Sequence, residues 1–324
     1  MTSAESNDCA MSERTRRSVL KAAGASLAAT TVAAGAGAAA SDSEWAVAET
    51  PVDGALHDVQ YTARGAHAVG GGGVVLRRTD RGWRKLLDGG PTGNGNNLYG
   101  AAATDDGKRL WFVGASGAIG EYDVETGNLE DRSAPMDVTN NFNDVAVVGS
   151  AGDAEVYVAG DSGKIYYSFA NGGEGTWDYV TPGSGSALPA IETFGARSAH
   201  AIDTNGRVFE TTDGVTWEPI GIEDADVTFY GLDSDGRSDV TVSGGNASVF
   251  EWNGSRWAPE SLGDADLLDV ETAGGDGVAV GGGGTIFEQS GGRWSLVDTP
   301  TGANLKAVAG DDVAVGAGGV VLER

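Results

Sequence analysis

The sequence predicts an all-β fold: a seven-bladed β-propeller of four-stranded antiparallel blades, with the last blade closed by the N-terminal strand. Three observations predict it. A short apolar motif opens a new unit seven times, at a spacing of 38–46 residues, which is the range of propeller blades. A Gly-x-x-Gly turn, once in the form Asp-x-x-Gly, follows in six of the seven units. The last unit, residues 305–324, stops after its third strand. A match for the missing strand, Trp45-Ala-Val-Ala-Glu-Thr-Pro-Val52, stands near the other end of the chain.

The inner strand comes first in each unit. Its starts are Leu56-His-Asp-Val59, Leu98-Tyr-Gly-Ala101, Phe142-Asn-Asp-Val145, Leu188-Pro-Ala-Ile191, Phe229-Tyr-Gly-Leu232, Leu267-Leu-Asp-Val270 and Leu305-Lys-Ala-Val308. Positions one and four are apolar throughout, as a strand buried on one face requires. Position three is Asp, Gly or Ala, consistent with crowding near a central axis. The turn between second and third strands reads Gly70-x-x-Gly73, Gly114-x-x-Gly117, Gly160-x-x-Gly163, Asp203-x-x-Gly206, Gly281-x-x-Gly284 and Gly316-x-x-Gly319. Unit five departs, with Gly244-Gly-Asn-Ala247. Tight turns with positive φ explain these residue types. A phosphate-cradling loop would need a helix behind it, and β-rich segments follow instead.

The fourth strand usually opens with Trp: Trp83, Trp177, Trp217, Trp257 and Trp294, with Leu129 near that place in unit two. A bulky ring packs well on a pleated sheet, so the recurrence reads as a packing anchor. Trp111 and Trp252 fall outside this register. Trp45 supplies the anchor for unit seven, because residues 45–52 align with Trp294-Ser-Leu-Val-Asp-Thr-Pro-Thr301. Both ends of the chain are therefore expected in one blade.

Residues 1–40 read as a separate segment. Thr15-Arg16-Arg17-Ser18-Val19-Leu20-Lys21 is a twin-arginine signal, an Ala/Gly/Thr-rich stretch follows, and Ala38-Ala39-Ala40 offers a cleavage site. The expected division is a signal peptide over 1–40 and a single propeller over 41–324, exported to the cell surface or the medium. The lone Cys9 lies in the signal, which excludes a disulfide framework for the rest. The whole chain carries a formal net charge of −26. Removing 1–40 takes four bases and three acids, leaving 17 against 44 and a net charge of −27. Such a charge repels nucleic acid and anionic membrane surfaces. Five lysines stand beside 16 arginines, and the acids are spread along the chain. This is the composition of a protein from a salt-loving organism, such as a halophilic archaeon, where surface acids keep proteins dispersed.

At Thr211-Thr-Asp213-Gly214-Val-Thr-Trp217 the chain resembles the Asp-box turn of sialidase-type (BNR-like) repeat propellers, and Asn171-Gly-Gly-Glu-Gly-Thr-Trp177 resembles a looser copy. With Leu-x-x-Val and Gly-x-x-Gly, the pattern is similar to the repeat propellers of photosystem II assembly factors over roughly residues 45–324. The resemblance implies that Asp213, Gly214 and Trp217 are structural, the Asp accepting turn N–H groups above the ring. The chain departs from sialidases: the expected three-arginine clamp and the Arg-Ile-Pro opening segment are missing.

Candidate sites follow from blade geometry. Blade connections and second-to-third turns share one face, and position two of the inner strands lies near the channel mouth. This makes His57, Tyr99, Asn143, Tyr230 and Lys306 the candidate ligand-binding residues, with Asn-rich connections around them. No catalytic residue, metal or cofactor is assigned. Asp233-Ser-Asp235-Gly236-Arg-Ser-Asp239 echoes a calcium loop but lacks the terminal Glu, and reads as a solvated first-to-second turn. His57, His67 and His200 lack zinc-ligand spacing. Asn246-Ala-Ser248 and Asn253-Gly-Ser255 are N-glycosylation sequons. The leading expectation is a monomeric, non-catalytic binding scaffold for a protein or glycan at the cell envelope. The alternative is a glycan-cleaving enzyme, a diverged sialidase-like glycosidase or lyase.

Overall fold

The computed structural model describes residues 45–222 and 225–324, so the expected signal over 1–40 lies outside the described residues. Among these residues the chain forms seven four-stranded antiparallel sheets. Six run in simple up-and-down order. The inner strands are Leu56–Thr62, Leu98–Ala103, Phe142–Ser150, Ala190–Gly195, Phe229–Gly236, Leu267–Ala273 and Leu305–Ala309. They pack on one another in sequence, and Leu305–Ala309 closes on Leu56–Thr62 to complete a ring.

The fourth inner strand starts at Ala190, two residues later than the Leu188 motif predicts. Pro189 has no N–H to give the ladder, so pairing begins only after it. Leu188 still occupies the position-one site: it is buried, and its N–H donates to Gly160 O in the preceding blade. Position-one and position-four side chains are buried in all seven blades. The apolar clusters lie between neighbouring sheets. One joins Leu56, Leu76 and Trp83 of blade one to Val313, Val315 and Val321 of blade seven. Another joins Trp45, Leu305 and Leu322 of blade seven to Val280 and Ile286 of blade six. Stability is therefore distributed around the circle, and a gap at any seam exposes two faces at once.

The seventh blade is split as the sequence predicts. Ala46–Ala48 pairs antiparallel with Val321–Glu323, with Val47 opposite Leu322, and forms the outer strand beside Val313–Gly316 and Leu305–Ala309. Trp45 is 2% exposed. Its Nε1 donates to Glu288 of blade six at 3.0 Å, and the Arg324 guanidinium lies 5.0 Å from its ring centroid. The next seam repeats the device, since Trp83 Nε1 of blade one donates to Glu323 of blade seven at 2.8 Å. Tyr61 of blade one also donates to Asp312 of blade seven at 2.7 Å.

The Gly turns explain themselves at Gly319, where φ is +73° and a Cβ would stand 2.1 Å from Val52 O. The chain leaving the closing strand passes too close for any side chain. Blade five places Ala247 at the matching site with φ +47°, buried, and accepts the strain of the left-handed region.

The closing strand yields a direct expectation. Trp45→Ala should cost about 3–5 kcal/mol in denaturant unfolding, the usual cost of truncating a buried Trp. Val47→Ala, two residues further along with an exposed side chain, should cost less than about 0.5 kcal/mol. A wild-type midpoint for Trp45→Ala would refute the closure.

Candidate functional site

Position two of the inner strand is structurally special. In six blades the ladder register shifts across it: between Leu56 and Asp58, Leu98 and Gly100, Phe142 and Asp144, Phe229 and Gly231, Leu267 and Asp269, and Leu305 and Ala307. A bulge leaves its residue unpaired and re-aims the side chain. His57, Tyr99, Asn143, Tyr230, Leu268 and Lys306 are those residues, and all are partly exposed. In blade four the same place holds Pro189.

The structure brings together three of the five candidates, on blades seven, one and two. His57 and Tyr99 pack edge to face, with centroids 5.3 Å apart and planes at 81°. Burial, aided by the neighbouring Lys306 ammonium, pushes the His57 pKa down to about 4. At neutral pH the imidazole is uncharged, and the cation of this group is Lys306. Asn143 has another task, because its Nδ2 donates to Leu188 O in the next blade at 3.1 Å. Tyr230 stands on blade five and joins none of these contacts. A cleft of about 270 Å³ is lined by residues 51–56 with Gly71, Val74 and Lys85, and none of the five candidates lines it.

The acids near the channel are committed to the backbone. Asp58 Oδ2 accepts the Ala101 N–H of the next blade at 2.6 Å. Asp144 does the same for Ile191, and Asp269 for Val308, each at 2.9 Å. Two residues further along the strand, Glu192 accepts from Ser234 N–H and Glu271 from Gly310 N–H. Asp233 accepts both the N–H and the hydroxyl of Thr272. This corrects the calcium-loop segment: Asp233 is a buried strand residue, and the turn begins only after Gly236. Among the described residues no group of three or more His, Cys, Asp or Glu has the geometry to hold a metal ion.

The Asn-rich connections serve the turns. Asn97 Oδ1 accepts the Gly72 N–H of the preceding blade, Asn141 the Ser116 N–H and Asn304 the Gly283 N–H. Asp266 does likewise for Asn246, whose own side chain is exposed. Asp224 of the blade-five connection lies outside the described residues.

At residues 211–217, Asp213 Oδ1 accepts the Val215 and Thr216 N–H groups at 2.8 and 2.7 Å. These bonds hold its pKa down to about 2. Gly214 has φ +79°, and Trp217 is buried. Asn253 makes the same bonds to Ser255 and Arg256 N–H, four residues before Trp257. Residues 171–177 are not a copy of this turn. Gly173, four residues before Trp177, offers no side-chain acceptor, and Asn171 Nδ2 bonds to Glu121 instead. Trp252 and Trp257 pack as a partly buried pair, centroids 5.2 Å apart. Trp111 is fully buried.

His67 and His200 are fully buried. His67 Nδ1 lies 3.0 Å from Gly65 O, and His200 Nδ1 lies 2.7 Å from Ser234 Oγ. Burial pushes both pKa values down to about 4. His200 Nε2 is 3.6 Å from Glu210, beyond hydrogen-bonding reach.

No protein-family model and no curated protein matches the chain. Solved structures do match. YCF48 from Cyanidioschyzon merolae superposes with a TM-score of 0.67 at 16% identity, covering 87% of this chain and 98% of that one. YCF48 bound to D1 peptide gives 0.70 at 14%, covering 88% and 98%. Virginiamycin B lyase from Staphylococcus aureus gives 0.71 at 12%, covering 86% and 99%. At these identities the likeness carries the fold. The expected similarity to photosystem II assembly-factor propellers holds at that level.

Two outcomes follow. Asp144→Ala orphans the Ile191 N–H and should cost about 1–3 kcal/mol of stability, read by thermal or denaturant unfolding. For His67 and His200 the folded pKa lies below the unfolded value, so the unfolded chain binds more protons between about pH 4 and 6.5. Their contribution is fully present above about pH 6.5 and is lost as pH falls through that window, on the order of 3 kcal/mol each. A His67→Gln/His200→Gln variant should show a shallower fall in Tm from pH 6.5 to 4 than the wild type. Parallel curves would refute this assignment.

Proposed function

We propose that this chain is an exported, non-catalytic propeller that binds a protein segment at its channel mouth, through His57, Tyr99 and Lys306. The observation that carries the reading is the division of labour among polar groups. Asp58, Asp144, Glu192, Asp233, Asp269 and Glu271 of the inner strands accept backbone N–H groups, which argues against glycan cleavage, while the bulged residues of three adjacent blades form a partly exposed aromatic–cation group. The twin-arginine motif and the Ala38-Ala39-Ala40 site support export. Among the described residues no helix is long and apolar enough to cross a membrane.

The peptide-bound state of YCF48 supports a peptide ligand for a propeller of this shape. Lys306 and the Tyr99 hydroxyl suit a segment that presents a carboxylate. The strongly negative charge of the chain is little obstacle in salt, because at molar ionic strength the Debye length shrinks to about 3 Å and short-range contacts decide. Asp213 in its turn, and Asn253 in the matching one, support the reading as an Asp-box-type repeat. The sparse lysines and abundant acids support a salt-loving source.

The test is retention of envelope proteins from the host on immobilised chain in molar salt, followed by affinity measurement on the protein retained. Lys306→Glu and Tyr99→Ala should each weaken binding about tenfold or more, a loss of at least about 1.4 kcal/mol. Leu296→Ala, on an exposed outer strand, should leave it unchanged. Full binding by both mouth variants removes the site.

A further inference from the structure

The two sequons lie in one blade, and the fold treats them differently. Asn246 sits in the turn between Asp239–Gly244 and Ser248–Trp252, with an exposed side chain. The residue after it is locked. Ala247 is fully buried, its N–H donates to Ala265 O at 2.6 Å, and its carbonyl accepts the Leu262 N–H at 2.9 Å. Ser248 is paired on both sides, with Gly244 and with Ser261. Presenting Asn246-Ala-Ser248 as a free segment would require these bonds to open.

Asn253, Gly254 and Ser255 form the turn between Ser248–Trp252 and Trp257–Ser261, and all three are exposed, as is Arg256. Asn253 Oδ1 accepts the Ser255 N–H at 3.1 Å, the Ser255 hydroxyl at 2.8 Å and the Arg256 N–H at 3.1 Å. Backbone N–H groups only donate, so the carboxamide is oriented with Oδ1 toward the turn. Nδ2, the atom that N-glycosylation modifies, is directed away from those three bonds. The sequon hydroxyl already lies on the carboxamide that it must accompany.

The geometry points to Asn253 as the N-glycan acceptor of the folded protein, with Asn246 excluded by its own turn. In the transfer, Asn253 Nδ2 forms a bond to C1 of a lipid-linked, phosphate-activated oligosaccharide as the C1–O(phosphate) bond breaks. The lipid phosphate leaves with the electron pair, and the Nδ2 proton passes to a carboxylate of the transferase. The inference rests on the export reading only for where the chain meets that enzyme.

The placement bears on the mouth. A third-to-fourth turn lies at the opposite end of the strands from the blade connections. Accordingly, a Cβ on Gly254 would stand 2.7 Å from Ser238 Cβ, in the first-to-second turn. A glycan on Asn253 covers the face away from His57, Tyr99 and Lys306. One on Asn246 would share the mouth face with them.

The test incubates the purified folded chain with a single-subunit oligosaccharyltransferase and its lipid-linked oligosaccharide. Synthetic peptides spanning each sequon serve as controls, and glycopeptide mass spectrometry reads the sites. Both peptides should be modified. The folded chain should carry its glycan at Asn253 with at least about tenfold higher occupancy than at Asn246, because Asn246 must first open buried and strand-paired backbone bonds, whereas those of the Asn253 turn are exposed. Asn253→Asp should abolish the modification without lowering Tm, since Asp213 holds the same turn with a carboxylate. A folded chain unmodified at Asn253, or equally modified at Asn246, overturns the assignment. The assay supplies the transferase directly, so its failure is distinct from a failure of export.

Discussion

The ring depends on how backbone groups are satisfied at the seams between blades. Within a blade the ladder pairs neighbouring strands, but the inner strands of successive blades face one another with no ladder between them. A buried N–H left there without a partner costs about 1–3 kcal/mol. Asp58, Asp144 and Asp269 at position three, and Glu192, Asp233 and Glu271 at position five, each accept an N–H from the following blade. Where position three carries no acid it is small for a steric reason. A Cβ on Gly100 would lie 2.7 Å from Asp144 Cα, and one on Gly231 would lie 2.6 Å from Asp269 Cα. The strand of blade five does both, reaching across with Asp233 and letting its neighbour close in at Gly231.

The same constraint shapes the candidate site. Acids held by backbone donors are parts of the frame, so an acidic composition does not translate into an acidic channel chemistry. In six blades the bulge after the position-one residue frees the second side chain from the ladder, and a rigid scaffold holds the freed group in place. His57, Tyr99 and Lys306 meet because blades seven, one and two are consecutive around the closed ring. Closure of the split blade thus ties the first described strand to the last and also completes the seam on which the candidate site stands.

At the outer rim stands a second seam device whose signal is present in the sequence. Gly206-Arg-Val-Phe-Glu210, Gly284-Thr-Ile-Phe-Glu288 and Gly319-Val-Val-Leu-Glu323 place a Glu four residues after the turn glycine. Glu288 and Glu323 receive the indole N–H of the following blade's Trp. Glu210 instead holds Arg237, and Glu251, four residues after Ala247 of the blade-five turn and so at the same register position, takes Gln289. The repeat was legible as a turn followed by a strand. The meaning of its Glu was not, because the partner lies in the next blade and varies from seam to seam.

The sequence by itself determined the number of blades, the four-strand order, the positions of the second-to-third turns and the split seventh blade. Each of these follows from local periodicity, from turn chemistry or from a missing strand that must be supplied elsewhere in the chain. The tertiary structure alone decided what the polar residues do. It placed Asp233 in a buried strand, turned Asn97, Asn141 and Asn304 into caps for the preceding blade, tied Asn143 to Leu188, and joined His57 to Tyr99. The physical reason is common to all of them. Spacing along a repeat shows which residues are equivalent, whereas a side chain's partner across a seam lies roughly one blade, about 40 residues, away. Which donor meets which acceptor there depends on how the neighbouring sheets pack.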